Sequence, residues 1–162
     1  MTLSTRVYSL VFVREASRIL LGLKKRGFGE GKWNGFGGKV EPNETVVEGA
    51  VRELKEECGL LANSLKYKGV LKFQFKEDPT LLEVHVFDTY DVCGELTESD
   101  EMRPKWYNLQ NIPFDKMWPD DAYWFPYMLR GELFKGYFLY QGEKILEQDI
   151  KPLTEVPEGM SL

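Results

Sequence analysis

An α/β/α sandwich around a mixed β-sheet is the fold class this sequence predicts, on three observations. The chain has 162 residues, a length that suits one domain around one core. Hydrophobic residues make up 43% and aromatic residues 14%, ample material for that core. Strand-like stretches lead into one strongly signalled helix, more strands follow, and a second helix comes late. That order points to helices packed on a mixed sheet.

Each element has its own signal. Arg6 to Val13 alternates and is rich in β-branched and aromatic residues, so it reads as a strand. Ile19 to Lys24 reads as a second strand, and the glycine-dense run GFGEGKWNGFGGKVEPNE as a loop. Thr45 opens the best helix signal: Thr45 and Glu48 have capping-box spacing, and Gly59 fits a C-terminal stop. Val70 to Phe75 and Val84 to Tyr90 are strand-like, and Met102 to Leu109 is a weaker strand. Pro119 to Leu129 reads as the second helix. Tyr137 to Tyr140 and Lys144 to Ile150 suggest a closing hairpin around Gln141-Gly142. One domain therefore spans residues 1–151. The tail, 152–162, holds two prolines, a glycine and few core residues, and is expected to be mobile.

Composition narrows the function. A net charge of −5 and a pI near 5.1 argue against a nucleic-acid duplex as partner, because duplex binders carry basic patches. A small polyanion that brings its own metal ion stays compatible. No apolar run approaches membrane-spanning length, and MTLSTRVYSLVFVREASRILLG interrupts its apolar pattern with Arg6, Arg14 and Glu15, unlike a secretory signal. Cys58 and Cys93 have no metal-binding spacing and read as reduced intracellular thiols, so a cytoplasmic setting is expected, with a mitochondrial or nuclear share left open; nothing in the sequence demands a dimer, and a monomer is expected. Gly38-Lys39 is followed by Val40 and lacks the upstream glycine of a phosphate-binding P-loop. His85, the only histidine, lies in the strand pattern EVHVFD and reads as structural.

The stretch RELKEECGL places Glu53, Glu56 and Glu57 on one helix, where like charges three and four apart repel. Advancing 100° per residue puts Val46, Val47, Ala50, Val51, Leu54 and Cys58 in one apolar arc of roughly 140°. Glu53 and Glu57 fall within about 20° of its edge, with Glu56 a step further out. Two such charges about 6 Å apart repel by roughly 3 kcal/mol at an effective dielectric of 20. A solvated acidic face is the bland explanation. A hard divalent cation, which takes oxygen ligands, reverses the sign of that repulsion.

Context separates the two. GGKVEPNETVVEGAVRELKEECGL resembles the Nudix box at every specified position: Gly38, Glu44, Arg52-Glu53, Glu56-Glu57 and Gly59. Seven such identities coincide by chance on the order of 10⁻⁸ per register. The resemblance implies the Nudix fold and a Mg²⁺-dependent hydrolase, with Mn²⁺ as a substitute ion, acting on a nucleoside diphosphate linked to another group. It implies metal ligation by Glu53, Glu56, Glu57 and the Gly37 carbonyl, with Arg52 orienting the helix glutamates and Glu44 in support. The mechanism it implies is attack of water on a phosphorus of the polyphosphate chain, with Glu53 the first choice of base and Glu101, in ESDEMRP, the second, also as a metal ligand.

KKRGFGEGKWNGFGGKV, DEMRP and MWPDDAYWFP extend the resemblance, from about Arg6 to about Ile150, to a Nudix subgroup that cleaves damaged purine nucleoside triphosphates to monophosphate and pyrophosphate. The implied substrates are 8-oxo-dGTP, 2-hydroxy-dATP and related nucleotides. The implied substrate contacts are Ser9, Lys24, Phe28, Asn34, Phe36, Gly37, Gly38, Lys39, Phe73, Leu82, Trp118, Pro119, Asp120, Asp121 and Trp124. Ser9 and Leu82 stand where that subgroup usually has threonine and methionine. Read alone, the WPDD run has two meanings. Asp beside Pro at a helix start is ordinary capping chemistry. Two adjacent carboxylates in a dry pocket would instead share a proton, and so donate to or accept from a purine edge. Competing readings are a Nudix hydrolase of ADP-ribose, a dinucleoside polyphosphate or an RNA cap, and a non-catalytic nucleotide- or RNA-binding module. The intact set of box glutamates disfavours the last.

Overall fold

The computed structural model describes residues 4–162. Its central strand is β1 (Ser4–Arg14), which runs parallel to β7 (Thr80–Thr89) from Ser4↔Thr80 to Val13↔Thr89. β6 (Lys66–Phe75) lies antiparallel beside β7, β10 (Phe134–Gln141) parallel beside β6, and β11 (Lys144–Pro152) antiparallel at the edge. The sheet is mixed, as expected.

The other edge of β1 forks. Tyr8 to Val11 pair with β4 (Phe36–Lys39), whereas Val13 and Arg14 pair with β2 (Arg18–Lys24). β2 in turn carries β3 (Trp33–Asn34) and β9 (Met102–Asn108). β3 and β4 are a correction to the sequence reading, which left this glycine-rich run as loop. Strand pairing there is non-local, and alternation cannot show through FGG. A separate ribbon, β5 (Leu60–Ala62) with β8 (Val92–Gly94), also escaped the sequence because each strand has three residues.

One helix covers each face. α1 (Val46–Cys58) begins with the expected capping box: Glu48 N–H donates to Thr45 Oγ1 at 3.1 Å and Thr45 N–H to Glu48 Oε1 at 2.8 Å. It ends at Gly59, whose φ of 81° suits glycine and lets its N–H cap the Lys55 carbonyl. Val47, Ala50, Leu54 and Cys58 pack with Val11, Val13, Phe36 and Phe87. α2 (Asp121–Leu129) puts Trp124, Phe125 and Met128 against Phe12, Val86, Phe134 and Phe138. Successive β1 residues thus alternate between the two cores. Leu153 and Met160 of the C-terminal tail lie against the α1-side core, and Leu153 N–H bonds the Leu133 carbonyl.

His85 is buried, with Nδ1 2.8 Å from Tyr67 Oη and Nε2 2.9 Å from Glu83 Oε2, consistent with the structural role expected of it. Cys58 and Cys93 are unpaired thiols. No described helix is long and apolar enough to cross a membrane.

Candidate active site

A cleft of about 680 Å³ opens over the α2 side of the sheet. Leu71, Phe73, Leu82 and Val84 line it from β6 and β7, and Tyr8 and Leu10 from β1. Trp118, Asp120, Asp121 and Trp124 line it from the start of α2, and Lys24, Phe28 and Asn34 from around β2 and β3. On the β4 side it takes in Ser9, Gly37, Gly38 and Glu57. The fork of β1 lets α1 contribute to a cleft that otherwise belongs to the opposite face.

The capping reading of WPDD is not met at Asp120. Asp120 makes no side-chain cap bond to α2. Its Oδ1 accepts from Tyr140 Oη at 2.6 Å and its Oδ2 from Trp124 Nε1 at 2.8 Å, while its own N–H donates to Tyr140 Oη at 3.0 Å. Both aspartates are almost wholly buried, and Asp121 Oδ2 has no partner. Burial pushes the Asp120 carboxyl up, but bonds from Tyr140, Trp124 and Asp121 resist the rise. Asp121 is driven well above the ordinary range by burial and then by the adjacent Asp120. The pair is therefore polarised. Asp120 is the better-supported anion, and Asp121 is the carboxyl driven higher. Tyr140 was invisible to sequence reasoning; its inward position follows from the alternation of FKGYFLYQ, but nothing local ties it to a residue twenty positions earlier.

Aromatic walls stand beside this pair. Trp118 is stacked with Phe28 (ring centroids 5.1 Å apart) and meets Tyr140 edge-on. Lys32 Nζ sits 5.2 Å from the Trp118 ring and pairs with Glu143; Lys32, Phe75, Tyr8 and Met102 are further lining residues that the sequence did not single out. Trp124 is wholly buried and reaches the cleft from below.

Three expected substrate contacts lie elsewhere. Phe36 is fully buried in the α1-side core, because it alternates with Gly37 on β4 and points the other way. Lys39 and Pro119 are exposed and do not line the cleft.

At the acidic end, Arg52 is a hub. Its Nη2 and Nε donate to Glu44 at 2.6 and 3.0 Å, and its Nη1 to Glu53 at 2.9 Å and Glu56 at 3.2 Å. Glu44 is held low by the bond from Arg52, and burial moves Glu53 upward. Glu57 is 5% exposed and receives one bond, from Gly37 N–H at 2.9 Å. Burial pushes it up to about 8; the Gly37 bond opposes this and Glu53 adds to it. Close approach explains the glycines: a Cβ on Gly37 would lie 1.9 Å from the Ser9 carbonyl oxygen, and one on Gly38 2.8 Å from the Glu53 carboxylate.

These oxygens fit a hard divalent cation in kind, since a buried, under-bonded carboxylate gains most from one. They do not form a finished cage. Among the described residues no three Asp, Glu, His or Cys side chains converge on one ion position. The reason is visible in the bonds: Arg52 draws Glu53 and Glu56, while Lys24 and Arg26 hold Glu101 at 3.0 and 2.8 Å. Glu53, Glu56 and Glu101 also stop short of the cleft lining, where only Glu57 of the four stands.

A family profile described as NUDIX domain matches residues 4–128. The chain is 51% identical over 140 residues to the mouse oxidized purine nucleoside triphosphate hydrolase, covering 86% of this chain and 90% of that protein. It is 49% identical over 143 residues to the zebrafish protein of the same name, covering 88% and 92%. A MutT protein from Bacillus halodurans superposes with a TM-score of 0.81 over 90% of this chain and 97% of that one; at 24% identity it speaks for the fold alone.

Proposed function

The chain belongs to the Nudix family, and on that premise we propose that it hydrolyses oxidised purine nucleoside triphosphates to monophosphate and pyrophosphate, clearing damaged nucleotides from the pool. The observation that carries the substrate class is the polarised pair Asp120–Asp121 in an aromatic cleft that also takes in Glu57.

Each side chain has a task in this reading. Asp120, charged, accepts from ring N–H and amino groups through lone pairs left over after Tyr140 and Trp124. Asp121, protonated, donates from its unpartnered oxygen to a carbonyl or ring nitrogen. Passing the proton between them presents the opposite pattern, which suits both an oxidised guanine and an oxidised adenine edge. Trp118 stacks on the base, Asn34 bonds it, and Phe28 and Phe73 wall it.

Nudix hydrolases need a divalent metal ion, and we take it to be Mg²⁺, with Mn²⁺ able to replace it. Bound, it neutralises phosphate oxygens and eases ionisation of the attacking water. Glu53, Glu56, Glu57, Glu101 and the Gly37 carbonyl would hold it. Glu53 takes the proton from water: it is partly buried, raised in pKa, and held in place by Arg52. A reducing, cytoplasmic setting and a monomeric state complete the proposal; the two free thiols suit the first.

Initial rates on 8-oxo-dGTP, 2-hydroxy-dATP, dGTP, dATP, ADP-ribose and a dinucleoside tetraphosphate, with and without Mg²⁺, test it. Pyrophosphate release favouring the oxidised purines is the expected outcome. Preference for ADP-ribose or the dinucleotide, with AMP as product, would overturn it.

A further inference from the structure

Glu101 lies in the turn before β9, where the register Lys24↔Met102 sets it against residues 24–26. Its backbone carbonyl accepts from Lys25 N–H at 2.8 Å. Its side chain is held twice over: Oε2 by Lys24 Nζ at 3.0 Å and Oε1 by Arg26 Nε at 2.8 Å. Both oxygens of a carboxylate assigned to the metal thus already have a cationic donor. Glu101 is near enough to Glu57 for its charge to be felt there, and so is Lys24.

The two holders differ. Lys24 lines the cleft and is largely covered; Arg26 does not line it and is 61% exposed. Resting on the metal reading above, we propose that Arg26 is a positioning residue that parks Glu101 in the ion-free chain and surrenders it when a divalent cation arrives. Lys24 is then left with its ammonium free toward the cleft, where the anionic substrate enters.

The energetics suit a placeholder. Without an ion, Glu57 feels the like charges of Glu53 and Glu101, and a guanidinium relieves that at Glu101, the member that sits on a bend outside the helix. An ion pair this exposed is also weak, so a divalent cation can displace it. A buried Arg26 would have blocked the site. Arg52 is the contrast. It grips three box glutamates at once and is only 29% exposed, so it orients them rather than yielding them.

Removing Arg26 removes a competitor for Glu101 and should tighten cation binding. A neighbouring charge supplies the control: Lys25 Nζ bonds Glu98 at 2.6 Å and the Ser99 carbonyl, and does not touch the Glu101 side chain. The test is a titration of the full chain with Mn²⁺ alone, followed by electron paramagnetic resonance, without nucleotide. Wild type, Arg26→Ala, Lys25→Ala, Glu101→Gln and the double variant Arg26→Ala/Glu101→Gln are compared. Arg26→Ala is expected to bind Mn²⁺ about two- to fivefold more tightly than Lys25→Ala, and this gain should vanish in the Glu101→Gln background. Equal affinities for Arg26→Ala and Lys25→Ala, or a gain that survives without Glu101, overturns the parking role while the metal reading stands. A wild-type chain that binds no Mn²⁺ here sinks the metal reading, and the parking role with it.

Discussion

Replacing Glu57 by Gln in the metal-free chain isolates a single buried charge. Glu57 has an ordinary value of 4.5 and is pushed to about 8 in the fold, first by burial and then by Glu53 and Glu101, with Gly37 N–H and Lys24 pulling the other way. Because its folded value is raised, the stability it contributes is complete below pH 4.5 and is lost as pH rises through 8. Across that window the folded state holds a proton that the unfolded chain gives up, so the slope approaches about 1.4 kcal/mol per pH unit. The full gap sets a ceiling of about 5 kcal/mol, and relaxation around the charge should bring the observed loss to roughly 2–4 kcal/mol. Glutamine keeps the shape and cannot ionise. Urea unfolding in EDTA at pH 5, 6, 7, 8 and 9 should therefore show wild type falling away from Glu57→Gln as pH rises. Asp120 and Asp121 titrate alike in both proteins and cancel in the difference, whereas Glu53, whose charge acts on Glu57, contributes to it. Added Mg²⁺ should restore wild type more at pH 8 than at pH 6 and leave Glu57→Gln largely unmoved. Curves that stay parallel across the range would refute the buried, under-bonded carboxylate from which the metal site is argued.

Three other perturbations follow from the same geometry. Glu53→Gln should lower turnover by about 10²-fold or more if it is the base; turnover within a few-fold of wild type would move that role to Glu101. Asp120→Asn and Asp121→Asn should change 8-oxo-dGTP and 2-hydroxy-dATP rates unequally, with Asp120→Asn the more destabilising because it weakens acceptors for two buried donors. Small, equal losses on both substrates would dispose of proton sharing. Gly37→Ala should destabilise by about 3 kcal/mol in thermal unfolding, since its Cβ meets the Ser9 backbone rather than a movable side chain; a stable, fully active Gly37→Ala would show that β4 has slack.

What the sequence could reveal divides along the range of the interactions. The limits of α1 were readable because Thr45, Glu48 and Gly59 act on backbone groups within one turn. Its polar rim was readable because 100° geometry needs no partner: Glu57 proved the more buried glutamate and Glu56 the more exposed, as the wheel implied. β3 and β4 were not readable, because their pairing depends on β2 and β1 and half of their residues are glycine or asparagine. Phe36, a substrate contact by resemblance, lies instead in the α1-side core; without knowing that 36–39 is a strand, its alternation with Gly37 cannot be used. The roles of Asp120 and Glu101 lay furthest out of reach. Tyr140 lies twenty residues from Asp120, and Lys24 and Arg26 lie more than seventy from Glu101. Only the resemblance to a known family pointed at them, and it said nothing of what holds them.

The same contrast explains why an acidic site can be stable before it is loaded. A set of carboxylates assembled for a divalent ion is a repulsive set in its absence, and a marginally stable domain cannot carry several such repulsions unrelieved. Three distinct forms of relief are present. Arg52 neutralises Glu44, Glu53 and Glu56 with directional bonds and keeps them aimed. Glu57, bonded only by the Gly37 N–H, is pushed up to about 8 by burial, which favours its protonated form. Glu101, on a turn, is relieved by being led aside to Lys24 and Arg26. On the proposed metal reading each form has a different cost on loading: a readjusted Arg52 bond for Glu53 and Glu56, a released proton for Glu57, and a broken exposed ion pair for Glu101. Cation affinity should therefore rise with pH through the Glu57 window, and losing Arg26 should shift that curve without changing its midpoint. A midpoint that moved with Arg26→Ala would mean that the two reliefs are one.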